Sequence, residues 1–300
     1  MILCCGEALI DMLPRETAGG ERAFAPYAGG SVFNTAIALG RLGAPAGFLS
    51  GISTDLFGQI LDQTLAASQV DASLAIRSDR PTTLAFVTLT DGQAQYAFYD
   101  ENTAGRMITE AELPEIPDTV EAMFFGGISL PPNPCGATYE ALMLREAGRR
   151  VTMIDPNIRP SFITDEAGYR ARIGRMMAVA TIVKSSDEDL DWLGMTPDDL
   201  IDAGAKLVCL TEGAKGVTAH WAGGETFVAA RKVTVVDTVG AGDTFSAGLL
   251  AGLHAGGLLT PEALGTITEA ALVPALELGV AAAAVTVSRA GANPPWKHEL

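Results

Sequence analysis

Short apolar, β-branched runs alternate along this chain with amphipathic stretches of helical period. AGFLSGIS (46–53), AMFFGGIS (122–129), RVTMIDPN (150–157), TIVKSS (181–186) and KLVCLTEG (206–213) read as buried strands, whereas LFGQILDQTLAAS (56–68) and TYEALMLREAG (138–148) read as helices. Repeated strand, helix, strand units mean right-handed crossovers and a mostly parallel sheet with helices on both faces, an α/β class. The opening MILCCGEALID reads as one buried strand. Two segments break the rhythm. Residues 82–99 form two strands around Asp91-Gly92, a pair suited to a type I′ hairpin. Together with Pro14–Tyr27, which has no helical period, this hairpin predicts a small β-sheet lid over the body, drawn from about residues 12–28 and 80–106. GVTAHWAGGETFVAA (216–230) reads as a second hairpin, turning at Gly223-Gly224 near the far edge of the main sheet.

Composition narrows the class. With 300 residues, 48% hydrophobic and 19% charged, the chain has ample apolar surface for one large domain, and intrinsic disorder is excluded. Twenty basic against thirty-six acidic residues give a net charge of −16, which argues against wrapping nucleic acid or anionic lipid; an anionic substrate needs a local positive site. The N-terminal run has no basic flank of a signal peptide. Ala270–Val287 is rich in alanine, seven of its eighteen residues, and carries Pro274, Glu277 and Gly279, so a buried helix fits better than a membrane span. Cys4, Cys5, Cys135 and Cys209 suggest buried thiols in a reducing cytoplasm. There is no G-x-x-x-x-G-K-[ST] and no G-x-S-x-G, and Phe245 stands where a dinucleotide fingerprint has its third glycine. His220, His254 and His298 have no ligand spacing.

The strongest local signal is VTVVDTVGAGDTFSAGLLAGL (233–253), read as a strand running into a glycine-rich turn that opens a helix. Gly240, Ala241 and Gly242 then expose N–H groups at a helix N-terminus, an anion site by dipole and by unsatisfied donors. Asp243 follows in the first turn. A carboxylate there also serves simply as a helix cap, but beside an anion hole it can take the proton of a hydroxyl attacking a phosphoryl group.

DTVGAGDTFSAG (237–248) and AGGSVFNTAIALGRLG (28–43) together resemble the two signatures of the PfkB, or ribokinase-like, family of carbohydrate kinases, and the resemblance runs from GEALID to SRAGANPP. It implies a ribokinase-like fold, ATP-dependent phosphorylation of a sugar hydroxyl, and an active site in the groove between body and lid. By the same resemblance Asp243 is the base, the turn 240–242 is the anion hole, and Asp11, Gly29, Gly30 and Asn34 hold the sugar. Read from the residues, Ser31 caps a helix beginning near Val32, Asn34 lies in its first turn, and Asp11 follows the first strand, where a solvated loop acid is the competing reading.

RVTMIDPNIRP places Asn157 and Arg159 at a strand's carboxyl end, with Arg159 a phosphate or substrate clamp, or else a surface arginine. TIVKSSDEDLDWL matches the family stretch that helps hold hydrated Mg²⁺: Ser186 stands for its Asn, and Asp189 or its neighbour Glu188 for its Glu, while Lys184 lines the phosphate side or is structural. Thr211, Gly213 and Gly216 give a purine or ribose close approach, though a plain hairpin turn looks alike; Gly291 and Ala292 match the loop over the adenine, and Asp237 a turn at which some relatives bind K⁺. QYAFYDENTAGRMIT (95–109) resembles the fructokinase pattern, with Tyr96, Phe98 and Arg106 toward the substrate. D-Fructose is the expected acceptor, then 2-keto-3-deoxygluconate, ribose and nucleosides; a non-catalytic sugar- or nucleotide-binding regulator is the reading from another class. A cytoplasmic enzyme and a homodimer through the lid complete the expectation.

Overall fold

A computed structural model describes residues 1–90 and 93–300, with the backbone alone for 88–90 and 93–95; the turn expected at Asp91-Gly92 lies outside the described residues. β1 (Ile2–Cys5) is followed by β2 (Leu9–Glu16) and β3 (Arg22–Gly29), then by α1 (Ser31–Arg41). β4 (Ala46–Leu49), β5 (Gly51–Ser53), α2 (Leu56–Ala67), β6 (Val70–Asp71) and β7 (Ile76–Ser78) lead to the lid strands β8 (Leu84–Thr90) and β9 (Gln93–Tyr99). The body resumes with β10 (Ala122–Gly126), α3 (Cys135–Glu146), β11 (Val151–Asp155), α4 (Glu166–Val179) and β12 (Ile182–Ser186). α5 (Asp187–Leu193), α6 (Pro197–Asp202), β13 (Leu207–Thr211), β14 (Gly216–Trp221) and β15 (Gly224–Ala229) precede α7 (Ala241–Ala255), α8 (Pro261–Gly265) and α9 (Glu269–Val287).

The main sheet has the order β15-β14-β13-β12-β11-β10-β1-β4-β6, parallel from β6 to β13 and antiparallel where β14 pairs with β13 and with β15. Its strands are apolar throughout because both faces are covered. Ile2, Cys4, Phe124 and Met153 face the core under α1, α7 and α9, while Leu3, Cys5, Phe125 and Ile154 face the core under α3 and α4. All four cysteines are buried and free. α9 is long and apolar enough to cross a membrane by length and composition, yet it lies against α7 with half of its apolar window buried. Glycines set that contact: a Cβ on Gly248 would stand 2.5 Å from Gly279 Cα, and one on Gly252 2.6 Å from Ala275 Cα. This explains the small inner face of the 241–255 helix.

The lid is a second sheet of order β3-β2-β8-β9. Four expectations are corrected here. The opening strand is two strands in two sheets, because the chain turns at Gly6, where a Cβ would meet Val32 Cγ2 at 2.5 Å. The lid strands therefore span Leu9–Gly29 and Leu84–Tyr99, wider than 12–28 on one side and narrower than 80–106 on the other. The second hairpin turns at Ala222-Gly223, since Trp221 already pairs with Gly224. The run VTVV before the glycine-rich turn is no strand: it is an extended segment with Val233, Val235 and Val236 exposed, which finds no neighbouring strand beyond β15.

Candidate active site

Between β1 and β10 the connections leave in opposite directions, toward β4 on one side and β11 on the other, so this is the switch point where an open parallel sheet leaves a crevice at its carboxyl ends. Gly6 and Glu7 follow β1, Gly127 and Ser129 follow β10, and Asp155, Ser186 and Thr211 end the next three strands. Over this row of strand ends stands the N-terminus of α7. Gly240 is its cap residue in the left-handed region (φ +77°), and a Cβ there would lie 2.8 Å from Ala292 Cβ, so glycine is required twice over. Ala241, Gly242 and Asp243 form the first turn, whose N–H groups lack intrahelical acceptors. A Cβ on Gly242 would stand 3.1 Å from Lys184 Nζ. The Lys184 ammonium is buried and donates to Asp155 Oδ2 at 2.8 Å; burial alone would lower its pKa, but the Asp155 carboxylate outweighs that and raises it. The scarce positive charge is thus fixed beneath the anion-binding turn.

Asp243 is buried. Ser31 Oγ donates to its Oδ1 at 2.6 Å and Asn34 Nδ2 to its Oδ2 at 2.9 Å. Burial pushes its pKa up to about 6, against the lowering effect of those two donors; Asp155 adds to the rise and Lys184 opposes it. Ser31 is therefore not the cap of α1, as its position before Val32 suggests. It is the first helical residue, Gly30 occupies the cap position with φ +106°, and the Ser31 hydroxyl is spent on Asp243.

The lid supplies the other wall. Asp11 lies inside β2, not after the first strand, and its carboxylate covers Gly29, where a Cβ would fall 2.3 Å from Asp11 Oδ2. Burial raises Asp11 to about 6. In register Asp11 pairs with Ala85 and Ala85 with Phe98, so Asp11, Phe98 and, two residues before it, Tyr96 share one face. Tyr96 stacks on Phe98, and Phe98 meets Phe162 of the body edge-on at 4.4 Å. The Tyr96 phenol is raised by burial and by the charges of Asp11 and Asp237, with Arg159 opposing. Arg159 is exposed and donates to Ile158 O at 2.9 Å; Asn157 adopts φ +43° beside it. Arg106 is paired with Asp100 at 3.2 Å in a small pocket that Glu7, Thr83, Ser129 and Cys135 also line.

Among the residues expected to face the nucleotide, Asp237 accepts from Val239 N–H at 3.0 Å and from Gly291 N–H at 2.9 Å, so one carboxylate joins the loop before α7 to the loop after α9. Ala292, next to Gly291, thereby meets Gly240. Gly213 (φ +54°) opens to free space, whereas a Cβ on Gly216 would lie 2.2 Å from Val228 O, so hairpin packing, not a nucleotide, dictates glycine there. Thr211 Oγ1 donates to Ser185 O, and Ser186 caps α5 by accepting from Asp189 N–H. Asp189 is buried, raised by burial and by Asp155, and accepts Ile158 N–H at 3.1 Å, while Glu188 is exposed. Among the described residues no three His, Cys, Asp or Glu side chains converge as direct metal ligands. A cavity of about 320 Å³ lies at the amino ends of β10 and β11 beside Glu121, Arg149 and Glu262, away from all these groups.

Sequence reasoning missed Glu7, Ser31 as a partner of Asp243, and Asp155. The first carries a legible signal, a lone acid inside MILCCGEALI; the last ends an apolar strand beside the proline of RVTMIDPN.

A buried carboxylate with the proton affinity of a base, beside helix N–H donors and a buried ammonium, is the equipment of an enzyme that moves a phosphoryl group onto a hydroxyl. Residues 1–299 match the description "pfkB family carbohydrate kinase". The chain belongs to that family. It is 58% identical over 278 residues to a fructokinase of Rhizobium leguminosarum bv. trifolii, covering 91% of this chain and 85% of that one, and 33% identical over 308 residues to a fructokinase of Salmonella typhimurium, covering 98% and 96%. Its fold superposes with a TM-score of 0.88 on a fructokinase with bound ATP from Xylella fastidiosa, at 28% identity and over 97% of this chain and 93% of that chain.

Proposed function

We propose that this carbohydrate kinase transfers the γ-phosphoryl group of ATP to D-fructose, giving fructose 6-phosphate, with Asp243 as the base. The observation that carries the reading is the pair of hydrogen bonds from Ser31 and Asn34 that fixes the Asp243 carboxylate at the N-terminus of α7. A hydroxyl held by Asp11 and Asn34 gives its proton to Asp243 as its oxygen attacks. Charge building on the phosphoryl oxygens meets the N–H groups of Gly240, Gly242 and Asp243, Ala241 N–H being given to Thr238 O at 3.3 Å, together with the Lys184 ammonium, all fixed before the substrate arrives. Mg²⁺ supplies neutralisation of the nucleotide phosphates when bound with ATP. Asp189 and Asp155, whose Oδ1 is buried without a protein partner among the described residues, are hard oxygen donors that fit a hydrated ion held through water. Thr211, Gly213, Gly291 and Ala292 line the way to the nucleobase, and Asp237 is the residue we assign to a K⁺ site.

Fructose is supported over 2-keto-3-deoxygluconate by charge. A carboxylated sugar would face Asp11, and of its two candidate counter-charges Arg106 is compensated by Asp100 at 3.2 Å while Arg159 is exposed and donates to Ile158 O. Retention of a raised, buried Asp243 speaks for catalysis over mere binding. We infer a single domain with a 9–29 and 84–99 lid, and a cytoplasmic homodimer joined through the outer lid face. There Phe24, Phe86 and Tyr99 form an edge-to-face row, with Phe24 and Tyr99 exposed. ATP-coupled turnover against D-fructose, 2-keto-3-deoxygluconate, ribose and nucleosides tests the assignment. Highest kcat/KM on fructose is expected; preference for the keto-deoxy acid, lost in Arg106→Ala, would overturn the sugar while leaving the kinase.

A further inference from the structure

The connection from body to lid contains one charged side chain turned inward. Glu7 lies between β1 and β2, is buried, and spans two elements: its Oε1 accepts from Ser31 N–H at 2.9 Å and its Oε2 from Ser129 N–H at 3.3 Å. The first of these bonds has a specific use. α1 begins after Gly30, which has no side chain to cap the helix, so Glu7 supplies the missing acceptor from 24 residues upstream. The surroundings are shaped for this carboxylate. Gly30 (φ +106°) and Gly127 (φ +69°) both flank it, and a Cβ would come within 3.1 Å of Glu7 Cγ at the first and 2.1 Å of Glu7 Oε1 at the second. Ser31, whose N–H is thus anchored, turns its hydroxyl to Asp243 Oδ1.

We propose that Glu7 is a positioning residue for catalysis: by capping α1 from the hinge of the lid it fixes the Ser31 backbone, and through the Ser31 hydroxyl it holds the Asp243 carboxylate in its reactive orientation. Two chain crossings between body and lid, at 6–8 and 29–31, are joined by the same carboxylate. The orientation of the base is thereby tied to the placement of the lid strands that carry Asp11 and Gly29. Glu7 never touches the substrate in this scheme. The inference rests on Asp243 being the base.

Burying a charge without need is costly, and Glu7 is pushed up to about 7 by burial, with Asp243 adding to the rise and Ser129 opposing it. An uncharged residue would serve a purely structural joint more cheaply.

The test is a double-mutant cycle in kcat, with Glu7→Met, which keeps the length of the side chain but has no acceptor oxygen, Ser31→Ala and the pair, measured at pH 8.5 with fructose and ATP saturating. Each single variant should lower kcat by about tenfold with sugar KM within about threefold, and the double variant should lose little more than either alone, since both break one chain of contacts. Glu7→Asp, which keeps the charge but withdraws it by a methylene, carries the same expectation if Glu7→Met does not fold. Wild-type kcat in a folded Glu7 variant, or losses that multiply fully in the pair, would overturn the proposal, as would a change confined to KM. Asp243→Asn in the same assay separates the two levels. Loss there with normal Glu7 variants removes only the positioning role, and normal kcat there removes the base assignment itself.

Discussion

Removing the Ser31 hydroxyl should make Asp243 a stronger base that is protonated over a wider range of pH. In the free enzyme the hydroxyl donates to Asp243 Oδ1 at 2.6 Å and favours the ionised form, so it holds the pKa down against the rise caused by burial. A hydrogen bond to a charged group contributes about 1.5–3 kcal/mol, and 1.36 kcal/mol is one pKa unit, so complete loss corresponds to a rise of about one to two units. Water entering the vacated space returns part of this, which leaves a rise of about one unit as the expected shift. The profile of kcat/KM against pH reports the free enzyme; Asp11 at about 6 and Glu7 at about 7 also shape its acid limb but are unchanged in Ser31→Ala, so the contribution of Asp243, about 6, should move the limb upward in that variant. Asp155, Lys184 and Glu7, the charged groups around Asp243, are unchanged in the variant, so the difference between the two limbs isolates the hydroxyl. An acid limb that stays in place, or moves down, would refute the contribution of Asp243 to that limb.

Burial raises Asp11 from 3.8 to about 6, so the folded protein binds that proton more tightly than the unfolded chain; the stabilisation is full below about 3.8 and is lost as pH rises to 6. Asp11→Asn should therefore raise Tm at pH 8, by up to about 3 kcal/mol of stability, leave Tm nearly unchanged at pH 3.5, and raise fructose KM by about ten- to a hundredfold; a lower Tm at pH 8 would contradict the sign. Gly240→Ala puts a Cβ at φ +77° and 2.8 Å from Ala292 Cβ, so ATP KM should rise more than fructose KM and Tm should fall, readable by coupled assay and thermal melting. EDTA should abolish turnover and Mg²⁺ restore it, with a raised Mg²⁺ requirement in Asp189→Ala but not in Glu188→Ala, because only the first side chain is buried beside Lys184 and Asp155.

The body of the fold was legible because buried parallel strands are apolar on both faces, and RVTMIDPN, TIVKSS and KLVCLTEG became β11, β12 and β13 as read. Local pattern failed where tertiary context decides. VTVV has strand composition but no neighbour to pair with, and MILCCGEALID is continuous in hydropathy although its halves serve different sheets. The glycine-rich turn with Asp243 was readable because helix N-termini have a local signature. Its partners were not, since Ser31 and Asn34 reach Asp243 across 212 and 209 residues of sequence. Position before a helix suggests capping for any serine, and only the fold shows that Glu7 took that task.

Asp243→Asn tests the central claim most directly. The amide keeps the size of the side chain and removes its ability to take a proton, so fructose and ATP should bind with near wild-type Kd while kcat falls by at least about 10²-fold, the low end for a lost general base. A folded Asp243→Asn enzyme that binds both substrates and turns over at close to the wild-type kcat would contradict it.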